Sequence, residues 1–142
     1  MKTEQKYFDE AISLQAYMEK MDKHKENSER VYKQFHVSED DEFISLLKEK
    51  NPHILCITED WCGDAMMNNA ILRRVAEAAN LDVNVVYRDQ SLDLMDRYLT
   101  NGGRSIPIYL LLNKDGDVIS KWGPRAPKLQ EHVIKLKSEL PA

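Results

Sequence analysis

The residues best suited to chemistry lie in the segment Thr-Glu-Asp-Trp-Cys-Gly-Asp-Ala at residues 58–65. Its Cys62 follows a short apolar run at residues 54–57 and precedes a helical pattern that extends from Gly63 to about residue 79. We therefore expect Cys62 at the point where a strand ends and a helix begins. The free N–H groups and the dipole of a helix start favour thiolate over thiol. Because the thiolate is the form of cysteine that attacks disulfides, the sequence predicts a nucleophilic Cys62.

Gly63, Asp64 and Ala65 form the predicted helix N-terminus around this thiolate. The helix start lowers the pKa of Cys62, whereas the negative charge of Asp64 raises it and Ala65 offers no S–H donor. These opposing effects predict a nucleophile of moderate strength. The alternative is an inert cysteine in a surface turn.

The second cysteine, Cys56, falls inside the apolar run and is expected to be a small core residue. The alternative makes it a substitute resolving thiol for Cys62, which would require local unfolding. Two cysteines provide neither a disulfide framework nor a zinc site at the usual ligand spacing. No metal site is predicted, because the histidines are scattered along the chain at His24, His36, His53 and His132.

Composition restricts the class of protein. The chain has 142 residues, 42% of them hydrophobic, and a net charge of −4. This size suits one globular domain, and the negative charge argues against nucleic acid and anionic membranes as partners. No apolar run approaches the ~20 residues of a membrane-spanning helix, and the polar N-terminus lacks the apolar segment of a secretory signal. We therefore expect a cytoplasmic protein in a reducing compartment.

Hydrophobic spacing predicts the elements that position Cys62. The first predicted helix covers residues 6–24, and the polar run at residues 23–30 either continues it or forms a loop. The predicted helices are residues 6–24, residues 38–50 with Ser38 as N-cap, residues 63–79 with Asn80 as the stop, a shorter helix opened by Ser91 and ended by residues 101–103, and a last helix that starts at Pro127. The predicted strands are residues 53–58, 83–87, 107–112 and 118–122, the last two joined by a hairpin turn at residues 114–117.

The order of these elements predicts the fold class. A helix connects the first two strands, which implies parallel pairing, and the Asp115-Gly116 turn implies antiparallel pairing of the last two. The sequence thus predicts an α/β fold with a mixed four-stranded sheet and helices on both faces.

Four segments in register resemble the motifs of one family. Residues 61–63 are similar to the start of a Trp-Cys-Gly-x-Cys signature, and residues 104–107 are similar to a cis-proline loop. Residues 86–90 resemble the end of the strand that follows the active-site helix. Residues 113–118 resemble the final hairpin, and Gly123 matches the glycine after it. On these motifs the chain is identified as a member of the thioredoxin-like superfamily.

The N-terminal part of the chain departs from typical thioredoxins. Those proteins begin with an extra edge strand, whereas this sequence begins with an apolar helical pattern, as in bacterial members with a helical N-terminal extension. The resemblance therefore implies a helical extension at residues 1–36, packed on a thioredoxin-like domain at residues 37–142.

The resemblance also implies a substrate site formed by Trp61, Ile106 and Pro107. In the family the peptide bond before this proline is cis, and the backbone of the preceding residue, here Ile106, pairs with an extended substrate peptide. Trp61 would flank the cysteine as an apolar contact surface. The alternatives are a trans proline that begins a strand and a Trp61 that packs in the core.

Two departures from the family bear on the reaction. Ala65 occupies the position of the resolving cysteine, and Cys56 occupies the position of a buried acid that takes a proton during dithiol exchange. The resemblance therefore implies monothiol exchange through Cys62 on oxidised or S-thiolated cytosolic proteins, resolved by an external small thiol. The alternative from another class is a redox-inactive thioredoxin-like module that binds a peptide or protein.

This interpretation requires no cofactor beyond a low-molecular-weight thiol as co-substrate. Monothiol glutaredoxins hold an iron–sulfur cluster between two subunits, and a cluster on Cys62 is the minor alternative. The expected partners are oxidised proteins and the small thiol.

Overall fold

The computed structural model describes residues 2–21, 24–35, 42–59 and 63–122, with the backbone alone at residues 42–43 and 63–67. Its helices are α1 (Glu4–Glu10), α2 (Leu14–Lys20), α3 (Lys25–Gln34), α4 (Glu42–Lys50), α5 (Gly63–Ala79) and α6 (Leu92–Met95), with a 3-10 turn at Arg88–Gln90. Its strands are β1 (Ile12–Ser13), β2 (His53–Thr58), β3 (Val83–Tyr87), β4 (Ile108–Leu112) and β5 (Val118–Trp122). The predicted cap at Ser38, the domain boundary at residue 36 and the helix from Pro127 lie outside the described residues.

The strands form a five-stranded mixed sheet in the order β1-β3-β2-β4-β5. β2 lies at the centre, parallel to β3 and antiparallel to β4. β4 pairs antiparallel with β5, and β1 pairs antiparallel with β3 at the opposite edge. The predicted fold class is confirmed, and the sheet has one strand more than the four predicted.

Alternating side chains of the central strand build a core on each face of the sheet. Ile54 and Cys56 pack on the face covered by α2, α3, α4 and α5. Leu55 and Ile57 pack on the face covered by α1 and α6. Because both faces are covered, five of the six residues of β2 are buried.

The prediction of one helix over residues 6–24 is wrong. The Ser13 hydroxyl accepts a hydrogen bond from the Ala16 amide at 3.1 Å and starts α2 as a new helix. Before it, the chain is extended at Ala11, and Ile12 pairs with Val85 of β3. Helix α1 and helix α2 cover opposite faces of the sheet, so the chain must pass around the sheet edge between them. A continuous helix could not do this, and the passage supplies the fifth strand.

The helix predicted from Ser91 is also shorter than expected. Helix α6 ends at Met95, and an isolated bridge then pairs Thr100 with Gly103. The two residues of that turn, Asn101 and Gly102, have φ values of 52° and 79°. This left-handed backbone is typical of Asn-Gly turns, so these residues form a tight turn of their own instead of capping the helix.

The elements next to the predicted site have the predicted bounds. Strands β2, β3 and β5 and helix α5 match the sequence analysis at both ends. Asn80 stops α5 with φ 58°, which is the left-handed conformation expected of a helix C-terminus. Residues 25–30 of the polar run lie in helix α3, which begins after His24.

Candidate functional site

Three loops meet at one end of the sheet. β2 and β3 are parallel, and the register pairs Thr58 with Tyr87, so both strands end at this edge. β4 runs the other way and begins here, with Ile108 opposite Ile57. The segments that leave β2, leave β3 and enter β4 are therefore neighbours, and this is the end of the sheet that leads to the start of α5. Carboxyl ends of parallel strands are a common location for sites.

Some of the predicted site residues lie within the described part of the chain, and two do not. Trp61 and Cys62 lie outside the described residues, between the end of β2 and the start of α5. Gly63, Asp64 and Ala65 form the first turn of α5, as predicted from the sequence. The roles assigned to all five stay predictions.

The segment that enters β4 contains the other predicted substrate contacts. The Ile106–Pro107 peptide bond is cis. Both side chains are buried, and Ile106 packs in the core beneath α6 with 7% exposure. A peptide could therefore reach Ile106 through its backbone only, which is the contact that the resemblance implies.

Arginine side chains connect the loops at this edge. Arg88 donates from Nη1 to the Arg104 carbonyl at 3.1 Å and from Nε to Asp89 at 3.0 Å. Arg104 in turn donates two hydrogen bonds to the Asp96 carboxylate, at 2.8 and 3.0 Å, which lower the pKa of Asp96. These contacts fix the loop after β3 to the loop that carries the cis bond.

A buried polar network lies behind the start of α5. Asn69 of α5 is 1% exposed, and its amide nitrogen donates to the Thr58 hydroxyl at 3.1 Å. Its amide oxygen accepts from the Tyr109 hydroxyl at 2.7 Å and from the Cys56 thiol at 3.6 Å. The network thus ties α5 to β2 and β4 by side chains, so it helps to set where the helix begins relative to the sheet.

Cys56 is a core residue, as the sequence predicted. Its side chain has no exposed surface, and burial raises the pKa of its thiol. The thiol therefore stays protonated and donates its hydrogen bond to Asn69. In the folded protein Cys56 is neither ionised nor accessible.

Glu59 is the last described residue before the Cys62 segment, and it is held at both its backbone and its side chain. The Tyr17 hydroxyl of α2 donates to the Glu59 carbonyl at 3.0 Å. The Glu59 carboxylate, in a residue only 9% exposed, accepts from the Asp89 amide at 3.0 Å. Burial raises the pKa of Tyr17, so this hydroxyl remains a donor throughout the neutral range.

The sequence predicted no specific role for Glu59, although it lies in the segment 58–65, and none for Asn69 or Tyr17. One signal was available for Asn69, because it shares a helix face with Leu72 and Ala76, both of which are buried. Tyr17 also falls at helical spacing between Leu14 and Met21. Nothing in the sequence indicated the hydrogen bond from Tyr17 to the Glu59 carbonyl, because every residue has a backbone carbonyl and the residue type does not reveal which one is the acceptor.

Two kinds of feature are absent from the described residues. No group of three or more His, Cys, Asp or Glu side chains there is arranged to hold a metal ion. Within the same residues, no helix has the length and apolar character needed to cross a membrane.

One comparison with known proteins identifies a family. A sequence model of the family described as Thioredoxin matches residues 11–137. No curated protein sequence matches the chain.

Two solved structures share the fold at low sequence identity, and a third match has a lower TM-score. An HIV epitope-scaffold protein is 16% identical, with a TM-score of 0.71, over 87% of this chain and 78% of its own. A protein of unknown function from Pseudomonas aeruginosa is 15% identical, with a TM-score of 0.71, over 97% of this chain and 86% of its own. Mitochondrial thioredoxin 3 from Saccharomyces cerevisiae is 26% identical, with a TM-score of 0.42, over 74% of this chain and 97% of its own.

Proposed function

Because the chain belongs to the thioredoxin family, we propose that it is a monothiol exchange catalyst that acts through Cys62. Family membership supports a general role in thiol–disulfide exchange. The specific mechanism follows from what this sequence provides, which is one cysteine at the predicted helix start and Ala65 at the position of the usual second cysteine.

The state of Cys56 is the observation that carries the proposal. A dithiol mechanism needs a second thiol that can attack the mixed disulfide on the first. Cys56 is the only other cysteine in the chain, and it is fully buried and bonded to Asn69. An uncharged, inaccessible thiol is a poor nucleophile, and this supports the proposal that a thiol outside the protein resolves the mixed disulfide.

The proposed reaction has two exchange steps. The Cys62 thiolate attacks the small-thiol sulfur of a protein–small-thiol mixed disulfide, and the protein sulfur leaves as a thiolate that takes a proton. A second small thiolate then attacks the disulfide on Cys62, which releases a symmetrical small-molecule disulfide and restores the Cys62 thiolate. In the net reaction one external small thiol is consumed: its sulfur joins the small-thiol sulfur of the substrate in the new disulfide, and the protein sulfur is released as a thiol.

Trp61, Ile106 and Pro107 are proposed to hold the polypeptide part of the substrate, with the Ile106 backbone as the polar contact. Oxidised or S-thiolated proteins and a small thiol are the proposed partners, in a cytoplasmic setting. No bound cofactor is required by the two exchange steps.

The test is turnover of a peptide–glutathione mixed disulfide with excess glutathione. We expect turnover in the wild type, loss of turnover in Cys62→Ser, and retention in Cys56→Ala, which is the matched control because it removes the other sulfur. Loss of turnover in Cys56→Ala with its fold intact would contradict the monothiol mechanism.

A second assay separates the two classes of function. The wild type should reduce insulin disulfides weakly, because that reaction favours a resolving cysteine. Peptide binding that is unchanged by Cys62→Ser, together with no turnover of any mixed disulfide, would instead identify a binding module.

A further inference from the structure

A cavity of about 360 Å³ lies at the edge of the sheet where the chain passes from α1 to α2. β1 pairs with Asn84 and Val85 only, whereas β3 continues to Tyr87. The cavity therefore lies beside the last residues of β3, between α1 and the end of α2. Its volume is in the range of cavities that hold small molecules.

One wall of this cavity is apolar. Ala11 and Ile12 line it from the passage between the helices, and Val86 lines it from β3. The side chains of Tyr7 and Tyr87 add aromatic surface. A wall of this kind favours a ligand with an apolar body over a bare ion, because burial of apolar surface is favourable.

The charged residues around the cavity leave one cation over. Lys2 and Glu10 both line it and form an ion pair with each other, so their charges compensate. Lys20, at the end of α2, also lines the cavity, and no carboxylate in the described part of the chain lies within ion-pair distance of it. The net charge of the lining residues is therefore that of one cation, which favours a monoanionic ligand.

Ser91 supplies a hydroxyl to the same cavity. It is only 9% exposed, yet its side chain makes no capping hydrogen bond to α6. Among the described residues, the side-chain oxygens that are fully enclosed without a hydrogen bond are those of Ser28 and Thr100, so the Ser91 hydroxyl keeps access to the cavity that the residue lines. A nearly buried hydroxyl without a partner is a donor that a ligand oxygen can satisfy.

We propose that this cavity binds a small monocarboxylate with an apolar body. The Ser91 hydroxyl donates to the carboxylate, and Lys20 is its ionic contact. Because Lys20 is exposed and has a flexible stem, its ammonium can move over the cavity toward a carboxylate at Ser91. The apolar wall receives the rest of the ligand. This binding site does not depend on Cys62 or on the proposed exchange reaction.

The test is an NMR titration of the full, isotope-labelled chain with phenylacetate. The neutral control ligand is phenylacetamide, which has nearly the same shape and no charge. We expect phenylacetate to shift the amide signals of Ile12, Val86 and Ser91 and to bind several-fold more tightly than phenylacetamide. Equal affinities for the two ligands, or no shift at these residues, would overturn the proposal.

The first variant is Lys20→Met, which removes the charge and keeps much of the stem. It should weaken phenylacetate binding by about 2- to 5-fold, the effect of one exposed ion pair, and leave phenylacetamide binding unchanged. Lys48→Met is the matched control, because Lys48 is an exposed lysine on α4 that does not line the cavity. It should leave the affinity for both ligands unchanged.

The second variant is Ser91→Ala, which should weaken phenylacetate binding by about 2- to 10-fold, as expected for the loss of one hydrogen bond. Its control is Ser28→Ala, which removes a buried hydroxyl of α3 and should not change the affinity. An unchanged affinity in folded Lys20→Met or Ser91→Ala would contradict the proposal. If Ser91→Ala does not fold, the comparison of Lys20→Met with Lys48→Met decides by itself, because both positions are exposed. The titration involves no exchange reaction, so its result is independent of whether the proposed function is correct.

Discussion

Replacement of Asn69 by leucine tests the buried network most directly. Asn69→Leu keeps the approximate volume of the side chain and removes its hydrogen bonds to Thr58, Tyr109 and Cys56. A net hydrogen bond contributes about 1 kcal/mol, and a buried polar group that loses its partner costs about 1–3 kcal/mol. The thiol bond is the weakest of the three. We therefore expect the free energy of unfolding to fall by about 2–4 kcal/mol, out of the 5–15 kcal/mol typical of a small domain.

The double variant with Tyr109→Phe shows whether this cost comes from the network. In the wild type, Tyr109→Phe removes a 2.7 Å bond to the Asn69 oxygen. In the Asn69→Leu background that bond is already gone, so Tyr109→Phe should cost about 1 kcal/mol less than in the wild type. The measurement is urea denaturation of all four proteins. An equal cost of Tyr109→Phe in both backgrounds, within about 0.5 kcal/mol, would refute the reasoning.

Three other predictions concern stability. Burial raises the pKa of Cys56, so above pH ~8.5 only the unfolded chain loses this proton. The free energy of unfolding should therefore fall above that pH, by up to about 1.4 kcal/mol per pH unit. In urea titrations of Cys56→Ala the free energy of unfolding should depend less on pH in this range. Burial lowers the pKa of His53, so as the pH falls below ~6.5 its imidazole takes up a proton in the unfolded chain before it does so in the folded protein. The melting temperature should therefore fall with decreasing pH, and it should fall less in His53→Gln. Gly116 has φ +85°, and a Cβ there would lie 2.8 Å from the Gln5 Cβ, whereas Gly102 has φ +79° and open space around it. Gly102→Ala should therefore lower the free energy of unfolding only by the ~1–3 kcal/mol of backbone strain, and Gly116→Ala should lower it by more, as measured by urea denaturation. Equal losses in the two variants would show that Gln5 moves aside.

The central part of the fold was predictable because its signals are local. β2 and β3 are short apolar or β-branched runs, and α5 lies between a strand and the left-handed stop at Asn80. Each boundary coincides with a change of residue type that favours one backbone conformation. Such changes can be read without knowledge of the tertiary structure.

The N-terminal segment was not predictable for a physical reason. Its apolar residues follow helical spacing across Ile12 and Ser13, and a strand of two residues has no period of its own. What breaks the helix is the need to cover both faces of the sheet, with Tyr7 on one and Tyr17 on the other. That requirement depends on the sheet, which the local sequence does not contain.

The candidate site also combines local signals, which the sequence shows, with long-range contacts, which it does not show. Cys62 could be selected from the sequence by residue type and by its place before a helix, and Cys56 by its place within a strand. The bonds that organise the site connect distant residues through a backbone carbonyl and a buried amide, at Glu59 and Asn69. Residue type and position thus indicate a candidate reactive group, whereas contacts between residues far apart in the sequence leave no local pattern.

The chemistry of the buried network agrees with the proposed proton balance. At the position where the resemblance expects an acid, the Cys56 thiol donates to Asn69, and the remaining partners, Thr58 and Tyr109, are hydroxyls. The side chains of this network are uncharged, and Cys56 remains so because burial raises its pKa. The network therefore neither supplies nor accepts a proton near pH 7. A dithiol enzyme must deprotonate its own second cysteine, and this network offers no base for that step. A resolving thiol from solution ionises in water before it attacks, so a neutral network agrees with the proposed monothiol exchange, which asks no proton transfer of the core.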